Sequence, residues 1–259
     1  MIILEGIIIR DDARYQYARD YLERRNFIFR EPGEPPENFG FIIFPFKEKI
    51  KPSLYDDSYF KKLKPCIQVF SGVRDHYIAG QCAEKKLNYH VIMEDSSVTV
   101  KNAIPTTEGV ISYLIANRID TVFNSRVLIS GYGTCGKDLA KRLKALDSRV
   151  YTLVRNREKE AEAVKDAITP VYLHELKKIN VDVVINTVPS PVFTNEMLEK
   201  FRGALMIEIA SKPFGFDMEY AKKLNEKSAF LPGIPGKYAV RTAGEIIGEF
   251  IYSKAVITC

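Results

Sequence analysis

The sequence predicts an α/β protein of two doubly wound parallel-sheet domains with a cleft between them. Three observations predict it. Short apolar runs, each bounded by turn residues, alternate with helix-patterned stretches along the whole chain. One such run, residues 126–130, opens into glycines at 131, 133 and 136, and Leu139, Ala140 and Leu143 then recur at helical spacing. A proline-bearing joint, residues 101–109, separates a first half without that glycine signature from a second half that has it. At 259 residues and 46% hydrophobic content, the chain is long enough for two modest cores.

In order, residues 6–10 read as a first strand, 11–14 as a loop and 15–25 as a helix. A second apolar run, 39–46, follows the Pro- and Glu-rich loop 31–37, and then come 67–72, a helix over about 75–86, and 89–93. Residues 1–103 are therefore expected to form a flavodoxin-like domain on the substrate side. At the joint, Pro105 holds its predecessor extended, Thr106 or Thr107 caps a helix, and Glu108 suits a first turn. Val110, Ile111, Leu114 and Ile115 then form one apolar face, so residues 104–118 are expected to be a connecting helix ending near Asn117.

Residues 119–239 read as a Rossmann domain. In the strand–turn–helix context, Gly131 lets the chain turn, Gly133 lets backbone approach a pyrophosphate, and Gly136 lets helix and strand pack closely. The backbone of Tyr132, Thr134 and Cys135 completes the cradle at the helix N-terminus, whose free N–H groups favour phosphate. The next strand, 149–154, ends in Arg155-Asn156-Arg157, where an enzyme using NAD keeps a carboxylate for the ribose 2′-hydroxyl. Two guanidiniums and a neutral amide suit a 2′-phosphate instead, so NADP is the expected cofactor. The plain alternative is a basic start to the helix 158–163. Further strands are expected at 181–186, 205–209 and 229–231. Their following turns, with Thr187, Val188, Pro189, Ala210, Lys212 and Lys237, should face the cofactor and the cleft. A last helix at 242–253, within a segment 240–259, is expected to pack back across the joint.

Composition excludes several classes. The net charge of +5 is spread through both halves, which does not indicate nucleic acid. No apolar run approaches a membrane span, and no signal peptide is read at the start, so a cytoplasmic protein is expected. Cys66, Cys82, Cys135 and Cys259 form no CxxC pair, and His76, His90 and His174 match no metal spacing, so no metal is expected. Cys135 stands at a helix N-terminus, which lowers a thiol pKa; it is otherwise a small residue beneath the phosphates.

Several of these turns together resemble the family of dehydrogenase-like A subunits of bacterial dipicolinate synthases. They are Asp12-Ala13-Arg14, Phe70-Ser71-Gly72, the joint from Asn102 to Gly109, Asn186-Thr187-Val188-Pro189-Ser190, Ile209-Ala210-Ser211-Lys212-Pro213, Pro232-Gly233-Ile234-Pro235-Gly236 and Thr242-Ala243-Gly244. The sequence departs from that pattern at Arg10-Asp11, usually paired glycines, at Thr134-Cys135, usually Arg-Thr, and at Lys212, commonly Arg. The resemblance implies an NADP-linked oxidoreductase. With the flavoprotein-like B subunit of dipicolinate synthase it would convert dihydrodipicolinate to pyridine-2,6-dicarboxylate in the mother cell during sporulation. A homo-oligomer is also expected.

Such a substrate carries two carboxylates, so cations at the predicted cleft are candidate partners: Arg14, Lys212, Lys237 and Arg241. Each is otherwise a solvated surface charge. Glu108 and His76 are the candidate bases, against helix capping for the first and a surface turn for the second. Asn102 and Thr106 would fix a carboxylate or the nicotinamide amide by hydrogen bonding. Two alternatives stand beside this reading: a shikimate-dehydrogenase-like NADP oxidoreductase, suggested by Arg155–Lys159 and Ile185-Asn186-Thr187, and a non-catalytic nucleotide-binding protein that scaffolds the B subunit.

Overall fold

The computed structural model describes residues 4–9, 12–31, 33–46, 55–117 and 120–257, with the side chain of Ile257 excepted. Arg10 and Asp11, where the first strand was expected to end, and Cys259 lie outside the described residues. The first elements are β1 (Leu4–Ile8), α1 (Arg14–Glu23), β2 (Phe27–Phe29), β3 (Phe41–Ile43), α2 (Asp57–Lys61), β4 (Gln68–Ser71), α3 (His76–Lys85), β5 (Asn88–Val91) and α4 (Ser96–Asn117). They are followed by β6 (Arg126–Ser130), α5 (Thr134–Ala145), β7 (Arg149–Leu153), α6 (Arg157–Lys165), β8 (Thr169–Val171), β9 (Val183–Asn186) and α7 (Asn195–Glu199). The chain closes with β10 (Leu205–Glu208), α8 (Met218–Leu224), β11 (Ala229–Phe230), α9 (Ile234–Tyr238) and α10 (Val240–Ile257). Two compact units result, residues 1–102 with 235–259, and residues 103–234.

The first unit holds a parallel sheet in the order β2-β1-β3-β4-β5. This 2-1-3-4-5 order reverses direction between β1 and β3. Parallel strands covered on both faces read as unbroken apolar runs, and Phe41, Ile42, Ile43 and Phe44 are all fully buried. Phe41 and Ile43 pack with Tyr15, Ala18 and Leu22 of α1 and Ile247, Phe250 and Ile251 of α10. Ile42 points the other way, to Phe60 of α2 and Ile78 and Cys82 of α3. The period of two thus sorts one apolar run onto two helical layers. Helix α10 packs against α1 within this unit.

The second unit holds a parallel sheet in the order β11-β10-β9-β6-β7-β8, the 3-2-1-4-5-6 order of a dinucleotide-binding sheet. Val127 and Ile129 face Leu139, Ala140 and Leu143 of α5, whereas Leu128 faces Val184, Met206 and Leu198. The short strand β8 carries Pro170 at the sheet edge, the position where a missing N–H costs least.

Two local expectations are corrected. The helix expected over 104–118, with Thr106 or Thr107 as its cap, begins at Ser96 and runs through Pro105. Proline removes one backbone donor, yet Asn102, Ala103, Thr107 and Val110 around it are all buried, and that burial keeps the helix whole. Thr107 is therefore no cap; its hydroxyl meets Asp138 of α5. The turn expected at 232–237 contains the short helix α9.

Candidate functional site

The functional geometry starts at the end of β6. Gly131 sits at φ +86°, a left-handed conformation that any side chain would strain, and a Cβ there would also strike Val188. Gly136 lies against the Gly131 carbonyl, so even a methyl group would push α5 off the strand. Gly133 is different. Nothing lies within 4 Å of the place its side chain would take, and it serves as the N-cap of α5 without a side-chain cap. The first N–H groups of this twelve-residue helix therefore open beside an exposed glycine, which is the anion-binding arrangement of helix N-termini.

The neighbours of these glycines divide. Thr134 is exposed at the helix start. Tyr132 turns its ring into the core, 3% exposed, and donates a hydrogen bond of 2.9 Å to Asp166, leaving only its backbone at the turn. Lys137, Lys141 and Tyr132 converge on Asp166; chiefly the Lys141 contact lowers its carboxyl to about 2. Of the two readings of Cys135, an activated thiol and a small packed residue, the structure favours the second. Burial, with Asp138 nearby, pushes that thiol up, so Cys135 is a packed small residue and not an activated one.

At the end of β7, Arg155, Asn156 and Arg157 are all exposed. The Asn156 side chain caps α6 by accepting from the Lys159 N–H at 2.9 Å. Neither guanidinium forms an ion pair with another described residue. Two exposed cations thus stand where the 3-2-1-4-5-6 sheet presents the adenosine ribose.

Across the reversal point, the turn after β9 is tied to β6: the Thr187 hydroxyl donates to the Ser130 carbonyl at 2.7 Å, and Val188 lies against Gly131. Pro189 is exposed beyond it. Ala210 is buried after β10, its N–H donating to Glu208 at 2.7 Å. Lys212 is exposed, its ammonium 5.9 Å from the Phe214 ring. Beneath these turns lies a group of residues that the sequence reasoning missed. Ser130, Asn186 and Glu208, all fully buried, stand in one row across β6, β9 and β10. Burial raises the Glu208 carboxyl above the usual range, against the opposing hydrogen bonds from Asn186, Gly215 and Ala210.

The remaining candidates are scattered over both units. In the first, Arg14 is buried and held by Asp12 through two hydrogen bonds of 2.7 and 2.8 Å, with its guanidinium 3.8 Å from the Phe46 ring centre. His76 is exposed at the start of α3, after the capping Asp75. Asn102 is buried with its amide 3.6 Å from the Met93 sulfur. Arg241 is exposed and paired with Glu245 at 3.2 Å, while Lys237 is exposed on α9. In the second unit, Thr106 is half-buried on α4. Glu108 is exposed and accepts from Arg142 of α5 at 3.2 Å. The described residues contain no cluster of metal ligands, and no helix among them is long and apolar enough to cross a membrane.

Comparison with known proteins follows the same division. Residues 107–210 match the family described as D-isomer specific 2-hydroxyacid dehydrogenase, NAD binding domain. Over 186 residues the chain is 31% identical to the dipicolinate synthase A subunit of Bacillus subtilis (strain 168), covering 71% of this chain and 63% of that protein. In sequence the chain is similar to the dipicolinate synthase A subunit. The match spans less than two thirds of that relative's length. Its fold is that of the crystal structure of the dipicolinate synthase A chain from Bacillus subtilis, with a TM-score of 0.89, 23% identity and coverage of 100% and 97% of the two chains. The dipicolinate synthase A subunit from Bacillus halodurans gives 0.87, 24%, and 97% of each chain. Residues 107–210, most of the second unit, thus match a nicotinamide-dinucleotide domain of the dehydrogenase type.

Proposed function

We propose that this chain is an NADP-dependent dehydrogenase that oxidises dihydrodipicolinate to dipicolinate, acting with a flavoprotein-like B subunit in the cytoplasm of a sporulating mother cell. The observation that carries the reading is the open glycine turn at Gly133 with two exposed guanidiniums, without ion pairs among the described residues, at the end of the next strand. The residues fit the cofactor: side chains at Gly131 or Gly136 would strike the protein itself, and one at Gly133 would enter the open space beside the helix N-terminus.

The N–H groups from Gly133 to Gly136 would hold the pyrophosphate, and Arg155 and Arg157 the 2′-phosphate, with Asn156 shaping the turn between them. Thr187, Val188, Pro189 and Ala210 would flank the nicotinamide half. When bound, the nicotinamide supplies the hydride acceptor. Lys212, exposed and free of ion pairs among the described residues, is the cation best suited to a substrate carboxylate. Arg14 is neutralised by Asp12; with Asn102 and Arg241 of the first unit, and Thr106 of the second, it stays a candidate substrate contact. The substrate must lose a hydride from one ring carbon and a proton from the adjacent ring atom; Glu108 or His76 accepts that proton.

The purified chain should bind NADPH more tightly than NADH, read as enhancement of nicotinamide fluorescence. Mixed with NADP and enzymatically generated dihydrodipicolinate, with and without the B subunit, it should raise NADPH absorbance. One pair of observations favours the scaffold reading: Glu108 is engaged by Arg142 and Arg14 by Asp12. Dinucleotide binding without turnover in either mixture would decide for the scaffold.

A further inference from the structure

Glu208 ends β10 with no exposed surface and no cation within ion-pairing distance among the described residues, although a buried carboxylate is expensive unless it is paired or hydrogen-bonded. Its partners are all N–H donors. The Asn186 side-chain amide stands 2.8 Å from both carboxylate oxygens, the Ala210 N–H donates to one at 2.7 Å and the Gly215 N–H to the other at 2.8 Å. Two of these donors bracket the loop 210–215, so one carboxylate closes both ends of it. Asn186 carries the connection onward. Its amide nitrogen donates to the Val188 carbonyl at 2.9 Å, its oxygen accepts from the Val188 N–H at 3.3 Å, and the Ser130 hydroxyl donates to the same oxygen. The Ser130 hydroxyl in turn accepts from the Thr187 N–H at 3.3 Å. Space is equally tight, for a side chain at Gly215 would strike the Asn186 amide.

The loops held this way belong to one half of the sheet. In a 3-2-1-4-5-6 sheet each half binds one mononucleotide. The glycine turn lies between β6 and α5 and the arginines between β7 and the start of α6, which leaves the turns after β9 and β10 to the nicotinamide half. We infer that Glu208 is a positioning residue: through Asn186 and Ser130 it fixes the turns 187–189 and 209–215 as one block against which the nicotinamide half of the dinucleotide seats. This rests on the dinucleotide reading above. The side-chain type matters, because only a carboxylate accepts at both oxygens. A glutamine would set its own NH2 group against the Asn186 amide or a backbone N–H.

The test compares NADPH with 2′-phospho-ADP-ribose, which lacks the nicotinamide, by calorimetric titration of the full chain. Glu208→Gln is expected to weaken NADPH binding by about tenfold or more, the scale of a hydrogen bond to a charged group, while leaving 2′-phospho-ADP-ribose within about twofold. Ser130→Ala, which removes only the outer link, should show the same split at a few-fold. Equal loss of both ligands, or unchanged NADPH affinity in both variants, overturns the inference. If Glu208→Gln fails to fold by circular dichroism, Ser130→Ala alone decides: a split upholds it and no split overturns it. Failure of the unaltered chain to bind either ligand would overturn the dinucleotide reading itself, and the inference with it.

Discussion

At the end of β1 the chain turns through Asp12 and Arg14, whose side chains meet at 2.7 Å, buried beside Phe46. At the end of β6 it turns through Gly131 and Gly133, with open space within 4 Å of the latter. Both turns follow the strand at which a doubly wound sheet reverses its order, the place where such sheets bind ligands. The first is filled by the protein's own ion pair, and its cation is neutralised internally. The second is left open by glycine, and the cations after the next strand, Arg155 and Arg157, form no ion pair among the described residues. One architecture therefore yields a braced turn and an open one, and side-chain volume and charge pairing make the difference.

The largest expected effect comes from breaking the braced turn. Asp12→Ala leaves the buried Arg14 charge uncompensated and should cost about 3–5 kcal/mol in urea unfolding. Adding Arg14→Met should recover most of that loss, and a single variant as stable as the parent would refute the bracing role. Next comes closing the open turn. Gly136→Ala meets the Gly131 carbonyl, so it should cost about 1–3 kcal/mol and lower NADPH affinity by roughly tenfold or more. Undiminished NADPH binding would place the phosphates elsewhere.

A smaller effect sharpens the contrast in charge. Arg155→Ala and Arg157→Ala should each reduce the preference for NADPH over NADH by roughly tenfold, while unfolding free energies stay within about 0.5 kcal/mol of the parent. A shift in stability without a shift in preference would make these arginines structural. The smallest effect lies in the core of the first unit. His90 bonds Gln68 at 2.8 Å and stacks on Phe70, and burial, then Lys254, lowers its pKa below 6.5 despite Asp95. The unfolded chain then binds the proton more readily than the folded one. Stability from this group is whole above pH 6.5 and declines as the pH falls toward the lowered folded value. His90→Phe should flatten that decline in denaturation midpoints measured from about pH 7.5 to 5.5, and an identical slope would exclude His90 as its source.

Much of the second unit was legible because its signals are local. The glycine turn, the strand before it and the amphipathic helix after it occupy consecutive residues, and the structure places each as the pattern requires. Helix α3 is likewise announced by Asp75, whose side chain accepts from the Tyr77 and Ile78 N–H groups. Strands β2 and β8 escaped notice, since three residues are too few to show a period. Pro105 misled for a different reason. Its local preference for ending a helix is outweighed by the burial of the residues on either side.

The buried row could not be found by motif. Ser130 and Asn186 lie 56 positions apart and Asn186 and Glu208 22 apart, and only parallel pairing in register sets them side by side. One signal was available: each is the polar residue that ends an otherwise apolar strand. Tyr132 and Arg14 show the same limit, because a side chain's direction depends on partners such as Asp166 and Phe46 that propensity does not reveal.

By itself, then, the sequence determined where most of the strands lie, which turn is open and where cations stand, because apolar periodicity, glycine and charge act on near neighbours along the chain. The tertiary structure decided which strand ends meet, which arginine is neutralised and which carboxylate is buried. Those outcomes depend on register and packing between segments distant in sequence, where the cost of an unpaired buried charge or donor selects the partner.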